Sequence, residues 1–175
     1  MHKTLRMMAM GNSKRENTPT FNALMRDPLM FLAFGFGSGL SRYVPGTMGT
    51  LACVPLYLLM AQTSFLIYLF ITVVATLVGI YLCEHSAKKL GVHDHSGIVW
   101  DEFAGFFITM IAIPLSWQTL LAGFVLFRFF DMLKPWPISV ADKKLGGGFG
   151  IMFDDVLAGG AAWACLYALV YTGVL

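Results

Sequence analysis

FRFFDMLKPWPI, residues 127–138, places Arg128, Asp131 and Lys134 in a run that is otherwise Phe, Met, Leu, Ile, Pro and Trp. Residues at i, i+3 and i+6 of a helix fall within an arc of about 120°, so these three share one face. Two carboxylate pairs, Asp101-Glu102 and Asp154-Asp155, sit in similarly apolar surroundings. Adjacent carboxylates repel and ask for a counter-ion. Carboxylates with water suit Mg2+, a hard cation commonly shared with substrate phosphates. An arginine fork and a lysine beside them suit the phosphate itself. Metal-assisted phosphoryl chemistry is the reaction these residue types could perform together. Helix capping and interfacial ion pairing are the plainer alternative, and capping is the stronger reading for Asp154-Asp155 taken alone.

Apolar helices must position these groups. The chain is 57% hydrophobic and 13% charged, against roughly 25% charged in soluble domains. Its mean hydropathy is +0.70. That is the composition of a membrane protein. A net charge of +2 is too small to argue for nucleic acid. Cys53, Cys83 and Cys165 lie in apolar runs without CxxC spacing, which argues against a disulfide framework and a zinc site.

No charge falls between Arg42 and Glu84, and the interval predicts helices over 51–61 and 65–83 around a polar turn at 62–64. The first is short unless it starts near Thr47. A second hairpin is expected over 98–113 and 117–133, broken at Pro114, and a last span over 156–175. About 20 residues cross a bilayer core of ~30 Å. The stretch 29–40 is apolar but too short to span, and glycines at 35, 37 and 39 weaken it as a helix. It reads as re-entrant or interfacial. The expected fold is all-α: a polytopic membrane bundle of about four transmembrane helices plus that segment. Residues 1–27 form a cytoplasmic tail and 28–175 the membrane-embedded domain.

Lysine and arginine set the orientation. Lys3, Arg6, Lys14, Arg15 and Arg26 mark the tail, Lys88 and Lys89 one loop, Lys143 and Lys144 another, and both hairpin turns are uncharged. The tail and long loops therefore face the cytoplasm. Asp101 and Glu102 then fall in the first turn of a helix, Arg128, Asp131 and Lys134 in the last turns of the next, and Asp154-Asp155 at the opening of the final run. All three clusters gather at the cytoplasmic side. The run PGTMGT (45–50), with Thr47, could hold an anion at a helix N-terminus, although taken alone a turn with an N-cap is the stronger account. Gly146–Gly150 reads as a flexible loop or lid. The loop 91–97, with His93, Asp94 and His95, could offer ligands or an acid, or be a solvated loop.

Several phosphatase chemistries are excluded. No cysteine has an arginine at the offset a cysteine phosphatase needs, no DxD occurs, and the lysine, arginine and histidine motifs of the histidine lipid phosphatases are missing. GxSxG and HExxH are likewise absent.

The runs GFGSGLSRYVPGTMGT (35–50), GVHDHSGIVWDEFAG (91–105), FRFFDMLKPWPI and GGFGIMFDDVLAG (147–159) closely resemble the phosphatidylglycerophosphatase A family. The resemblance covers about 28–165, with Arg42 standing where the family pattern has proline. It implies a Mg2+-dependent hydrolase of the bacterial cytoplasmic (inner) membrane that releases phosphate from phosphatidylglycerophosphate. In that reading Asp101, Asp131, Asp154 and Asp155 bind the metal. Asp101, Glu102 and Asp131 are catalytic, with Glu102 the candidate base. Arg128, Lys134 and Thr47 bind substrate. Asp131 could instead serve mainly to fix Arg128, and direct attack by an aspartate stays open beside attack by water. A headgroup phosphotransferase would need a DGxxAR pattern that is missing, and a transporter would need charges at mid-span.

Overall fold

The computed structural model describes residues 18–92, 95–140 and 145–175. His93, Asp94, Lys143, Lys144 and the basic residues of positions 1–17 lie outside the described residues. The elements are α1 (Phe21–Met25), α2 (Pro28–Ala33), a 3-10 segment (Gly35–Leu40), α3 (Pro45–Met60), α4 (Phe65–Leu90), α5 (Trp100–Thr109), α6 (Trp117–Leu133) and α7 (Gly147–Tyr171). All are helical, and no strand occurs among the described residues.

α6 runs as the sequence predicts. Ser116 accepts from the Thr119 amide while the Thr119 hydroxyl accepts from the Ser116 amide, a reciprocal capping box. Its far end stops at Lys134, which turns left-handed at φ 42° before Pro135. α4 differs. It continues past Cys83 to Leu90, because the charges end the apolar stretch and not the helix. Lys88 pairs with Glu84 at 2.8 Å across one turn, and Gly91 at φ 69° ends the helix.

α7 differs more. It begins at Gly147, where a loop or lid was expected, so Asp154 and Asp155 lie two turns inside it and do not cap it. The glycines are small because α4 is close. A Cβ on Gly148 would stand 2.1 Å from the Ile80 carbonyl oxygen. The Gly148 amide donates to Glu84, which supplies from α4 the acidic group that the first turn of α7 lacks.

α4 and α7 are long and apolar enough to cross a membrane. α5 stops at Thr109, short of the expected 113, and its ten residues cover only about 15 Å. The stretch 29–40 is α2 followed by the 3-10 segment, with left-handed Phe36 and Gly37 breaking it. α2 packs on α4 and the 3-10 segment on α3. Asp27 ties this corner down. Its Oδ1 accepts from the Leu29 and Met30 amides at 3.1 and 3.2 Å, capping α2, and its Oδ2 meets Lys89 of α4 at 2.5 Å. Burial works to raise the Asp27 pKa, but the Lys89, Met30 and His85 contacts outweigh it and hold the carboxyl down at about 2.

α7 is the hub, packed on α4, α5 and α6, while α3 packs on α5. Phe103, Phe106, Phe127, Tyr57 and Leu166 are fully buried between them. Inside a bilayer such helices associate by close packing and interhelical hydrogen bonds, so small residues at crossings matter. α5 and α7 meet at Gly105 and Gly159. A Cβ on Gly159 would stand 2.4 Å from the Gly105 oxygen, whereas one on Gly160 meets nothing within 4 Å. In a helix interior, Gly→Ala by itself is favourable by about 0.5–1 kcal/mol. Gly160→Ala should therefore leave the melting temperature in detergent unchanged or raised, and Gly159→Ala should lower it by several degrees. The reverse ranking would show that this crossing is not tight.

Candidate active site

All three charge clusters meet at one end of the bundle, around a cavity of about 800 Å³. The helix directions dictate this. α3, α5 and α7 begin here and α6 ends here, so the N-terminal turns of α3 and α5 lie beside the last turn of α6. Asp101 and Glu102 occupy the first turn of α5, which has no side-chain cap of its own. Carboxylates are favoured there by the helix dipole. Asp155 reaches the same point from α7.

Oxygens of Asp101, Glu102 and Asp155 lie within 4.8 Å of one another. Glu102 and Asp155 are 8% and 3% exposed. Glu102 Oε2 and Asp155 Oδ2 are buried without a hydrogen-bond partner. Oxygen ligands about 2.1 Å from one Mg2+ are at most about 4.2 Å apart across the octahedron. Carboxylate shifts below an ångström would bring this trio within that bound. The donor set and the two orphaned oxygens therefore fit a hard divalent cation.

The cations stand beside the trio, each tied to a further aspartate. Arg128 Nη1 lies 2.6 Å from Asp131 and 3.6 Å from Glu102. The Arg128 Nε is buried with no hydrogen-bond partner, and the residue lines the cavity. Lys134 pairs with Asp154 of α7. This contact holds a lysine in a left-handed conformation that costs a non-glycine residue about 1–2 kcal/mol. Asp131 and Asp154, expected beside the metal, each pair with a cation, Asp131 also lies against Asp155, and Glu102 joins Asp101 and Asp155 in the trio. Thr47 lines the cavity from the first turn of α3.

Two features escaped sequence reasoning. Gly46 lies against the charges: a Cβ there would stand 2.2 Å from Glu102 Oε1 and 2.9 Å from Arg128 Nη2. A glycine between Pro45 and Thr47 reads as a turn residue, and spacing alone cannot reveal what packs against it. His95 was expected in a ligand-bearing or solvated loop. It is 1% exposed, its Nδ1 accepts from the Gly97 amide at 3.0 Å, and its ring packs on Phe34. It shapes the loop that lines the cavity.

The sequence matches the family described as Phosphatidylglycerophosphatase A over residues 31–170. The chain belongs to the phosphatidylglycerophosphatase A family. A phosphatidylglycerophosphatase A of Escherichia coli (strain K12) is 50% identical over 144 residues, covering 82% of this chain and 84% of that protein. The Haemophilus influenzae protein of the same name is 50% identical over 158 residues, covering 89% and 97%. A Bacteroides thetaiotaomicron relative, named for a phosphatidylinositol-3-phosphatase activity, is 36% identical over 74% of this chain and 86% of its own length. No solved structure matches. Every cavity residue discussed above falls inside the segment matched to the phosphatidylglycerophosphatase A family.

Gly46→Ala tests the charge cluster without touching a charge. The added methyl must displace Glu102 or the Arg128 guanidinium. Phosphatase turnover should fall at least ~10²-fold, the order seen when catalytic groups are misplaced by about 1 Å, while the melting temperature stays within a few degrees of wild type. Wild-type turnover in Gly46→Ala would place Glu102 and Arg128 outside the reacting site.

Proposed function

We propose that the protein hydrolyses phosphatidylglycerophosphate to phosphatidylglycerol and phosphate, with Mg2+, at the cytoplasmic face of the bacterial inner membrane. The two relatives of that name at 50% identity carry the reading. The buried trio beside Arg128 supplies its chemistry. α3, α4, α6 and α7 cross the membrane, and α5 with residues 110–113 carries the chain through the bundle interior. The basic residues Arg26, Lys88 and Lys89 at the cavity end support a cytoplasmic side for that end.

Asp101, Glu102 and Asp155 would hold Mg2+ through their carboxylate oxygens. Bound there, Mg2+ would neutralise phosphoryl charge and activate water. Arg128 takes two non-bridging oxygens of the phosphomonoester in its fork, and Lys134 takes the third as a point charge. Asp131 keeps the Arg128 fork in place and Asp154 does the same for Lys134. Thr47 adds a hydroxyl at the N-terminus of α3. Glu102, within reach of Arg128, accepts the proton of the attacking water as the oxygen–phosphorus bond forms. The bond to the glycerol oxygen breaks, and that oxygen leaves as the alcohol of phosphatidylglycerol once protonated.

The test is phosphate release by the purified protein in mixed micelles of phosphatidylglycerophosphate, with phosphatidylinositol 3-phosphate in parallel. Release should need Mg2+, stop with EDTA and return when Mg2+ is restored. Asp101→Asn should abolish it, and Arg128→Lys should damage it because a point charge replaces a fork. Release that ignores EDTA would remove the metal from the mechanism, and faster release from the inositol lipid would change the substrate.

A further inference from the structure

The cavity must admit a molecule whose acyl chains stay in the bilayer, and the seams around it differ. The α5–α7 seam is closed by Gly105 against Gly159, and the α3–α5 seam by Gly49 against Val99, where an added Cβ would stand 2.6 Å from the valine Cβ. The α6–α7 seam is closed at the cavity by Lys134 with Asp154. The α4–α7 seam is closed by Glu84 on the Gly148 amide. α3 packs along its length on neither α4 nor α6 among the described residues, but α2 on α4 and the 3-10 segment on α3 occupy the first of these seams, whereas no such segment packs between α3 and α6. They approach at the cavity itself, Gly46 against Arg128.

Each helix flanking that seam carries an apolar stripe in line with a cavity residue. On α3, Thr47, Leu51, Val54 and Leu58 follow at i, i+4, i+7 and i+11, which is one helical face. Leu51 and Leu58 are 53% and 36% exposed. On α6, Leu121, Val125, Arg128 and Met132 have the same spacing. Leu121, Val125 and Met132 are 56%, 56% and 71% exposed, and Met132 lines the cavity with Arg128. Eleven residues of helix cover about 16 Å, roughly half a bilayer core. On α3 the stripe leads from Thr47 about 16 Å down, to mid-membrane depth, and on α6 the seven residues from Arg128 back to Leu121 cover about 10 Å in the same direction.

We propose that the seam between α3 and α6 is the lateral entrance for the lipid. A phospholipid bearing a phosphomonoester slides in sideways, its acyl chains against Leu51 and Leu58 on one wall and Leu121 and Val125 on the other. Its headgroup then reaches Arg128 without leaving the membrane. This rests on the lipid-phosphatase reading above, and it adds that selectivity for a diacyl substrate resides in this seam.

Filling the seam is the test. Leu51→Trp and Val125→Trp are compared with Val73→Trp on α4, an exposed position outside the seam. Two substrates are used: phosphatidylglycerophosphate in mixed micelles, and its water-soluble deacylated form. The seam variants should lower kcat/KM for the diacyl lipid about tenfold relative to the deacylated form, while Val73→Trp leaves that ratio at the wild-type value. An unchanged ratio in both seam variants, or an equal change in Val73→Trp, would overturn the entrance. A wild-type protein inactive on both substrates would instead overturn the function reading. Wild-type protein photolabelled with a diazirine-acyl phosphatidate, which needs no variant to fold, should carry label within 47–58 and 121–132. Label confined to α4 or the far face of α7 would also overturn the entrance.

Discussion

Three carboxylates held close together in a nearly dry place are the constraint on which this structure turns. Two unit charges 4.8 Å apart, the outer separation within the trio, repel by about 3–4 kcal/mol at an effective dielectric constant near 20. Three such pairs approach the whole stability of an ordinary domain, about 5–15 kcal/mol. A fold that assembles Asp101, Glu102 and Asp155 must bring positive charge to them or keep protons on them. Arg128 does part of this at 3.6 Å from Glu102, but Asp131 shares the same guanidinium at 2.6 Å. A bound divalent cation would supply the remainder.

The rest of the bundle serves that convergence. Glycine contacts bring the helices close enough: Gly105 with Gly159 joins α5 to α7, Gly148 seats α7 on α4, and Gly46 lets α3 approach both signs of charge. Asp131 and Asp154 are the less obvious parts. Each pairs with a cation that would otherwise be drawn to the trio or to water, and so fixes that cation at the cavity. The result is a polar chamber at one end of an apolar scaffold, where charge costs less than at mid-membrane.

Much of this was legible in the sequence, for reasons that particular residues make plain. Arg128, Asp131 and Lys134 share a face because helical spacing is fixed, and α6 delivered both the helix and the face. Pro135 marked its end. The all-helical class followed from uncharged apolar runs. Reading failed where long-range packing overrides local preference. Gly147–Gly150 reads as loop by propensity, yet it opens α7 because Ile80 and Glu84 of another helix leave room only for glycine and supply the missing cap. That shifted Asp154 and Asp155 from a helix start to its second and third turns. His95 lay in a polar stretch yet is buried, since its partners Gly97 and Phe34 could not be inferred from composition. Membership of the trio was equally hidden. Asp101, Asp131, Asp154 and Asp155 are chemically alike, and only the crossing of α5 with α7 places Glu102 with Asp101 and Asp155.

The most direct measurement is the melting temperature of the purified protein in detergent as Mg2+ is added, for wild type and Asp155→Asn. If the trio is strained by like charge and relieved by a cation, Mg2+ raises the wild-type value in the concentration-dependent way that binding to the folded state requires. Asp155→Asn should melt higher than metal-free wild type and respond little to Mg2+. A wild-type melting temperature indifferent to Mg2+, with Asp155→Asn no more stable than metal-free wild type, would contradict the trio as the cation-binding centre of the site.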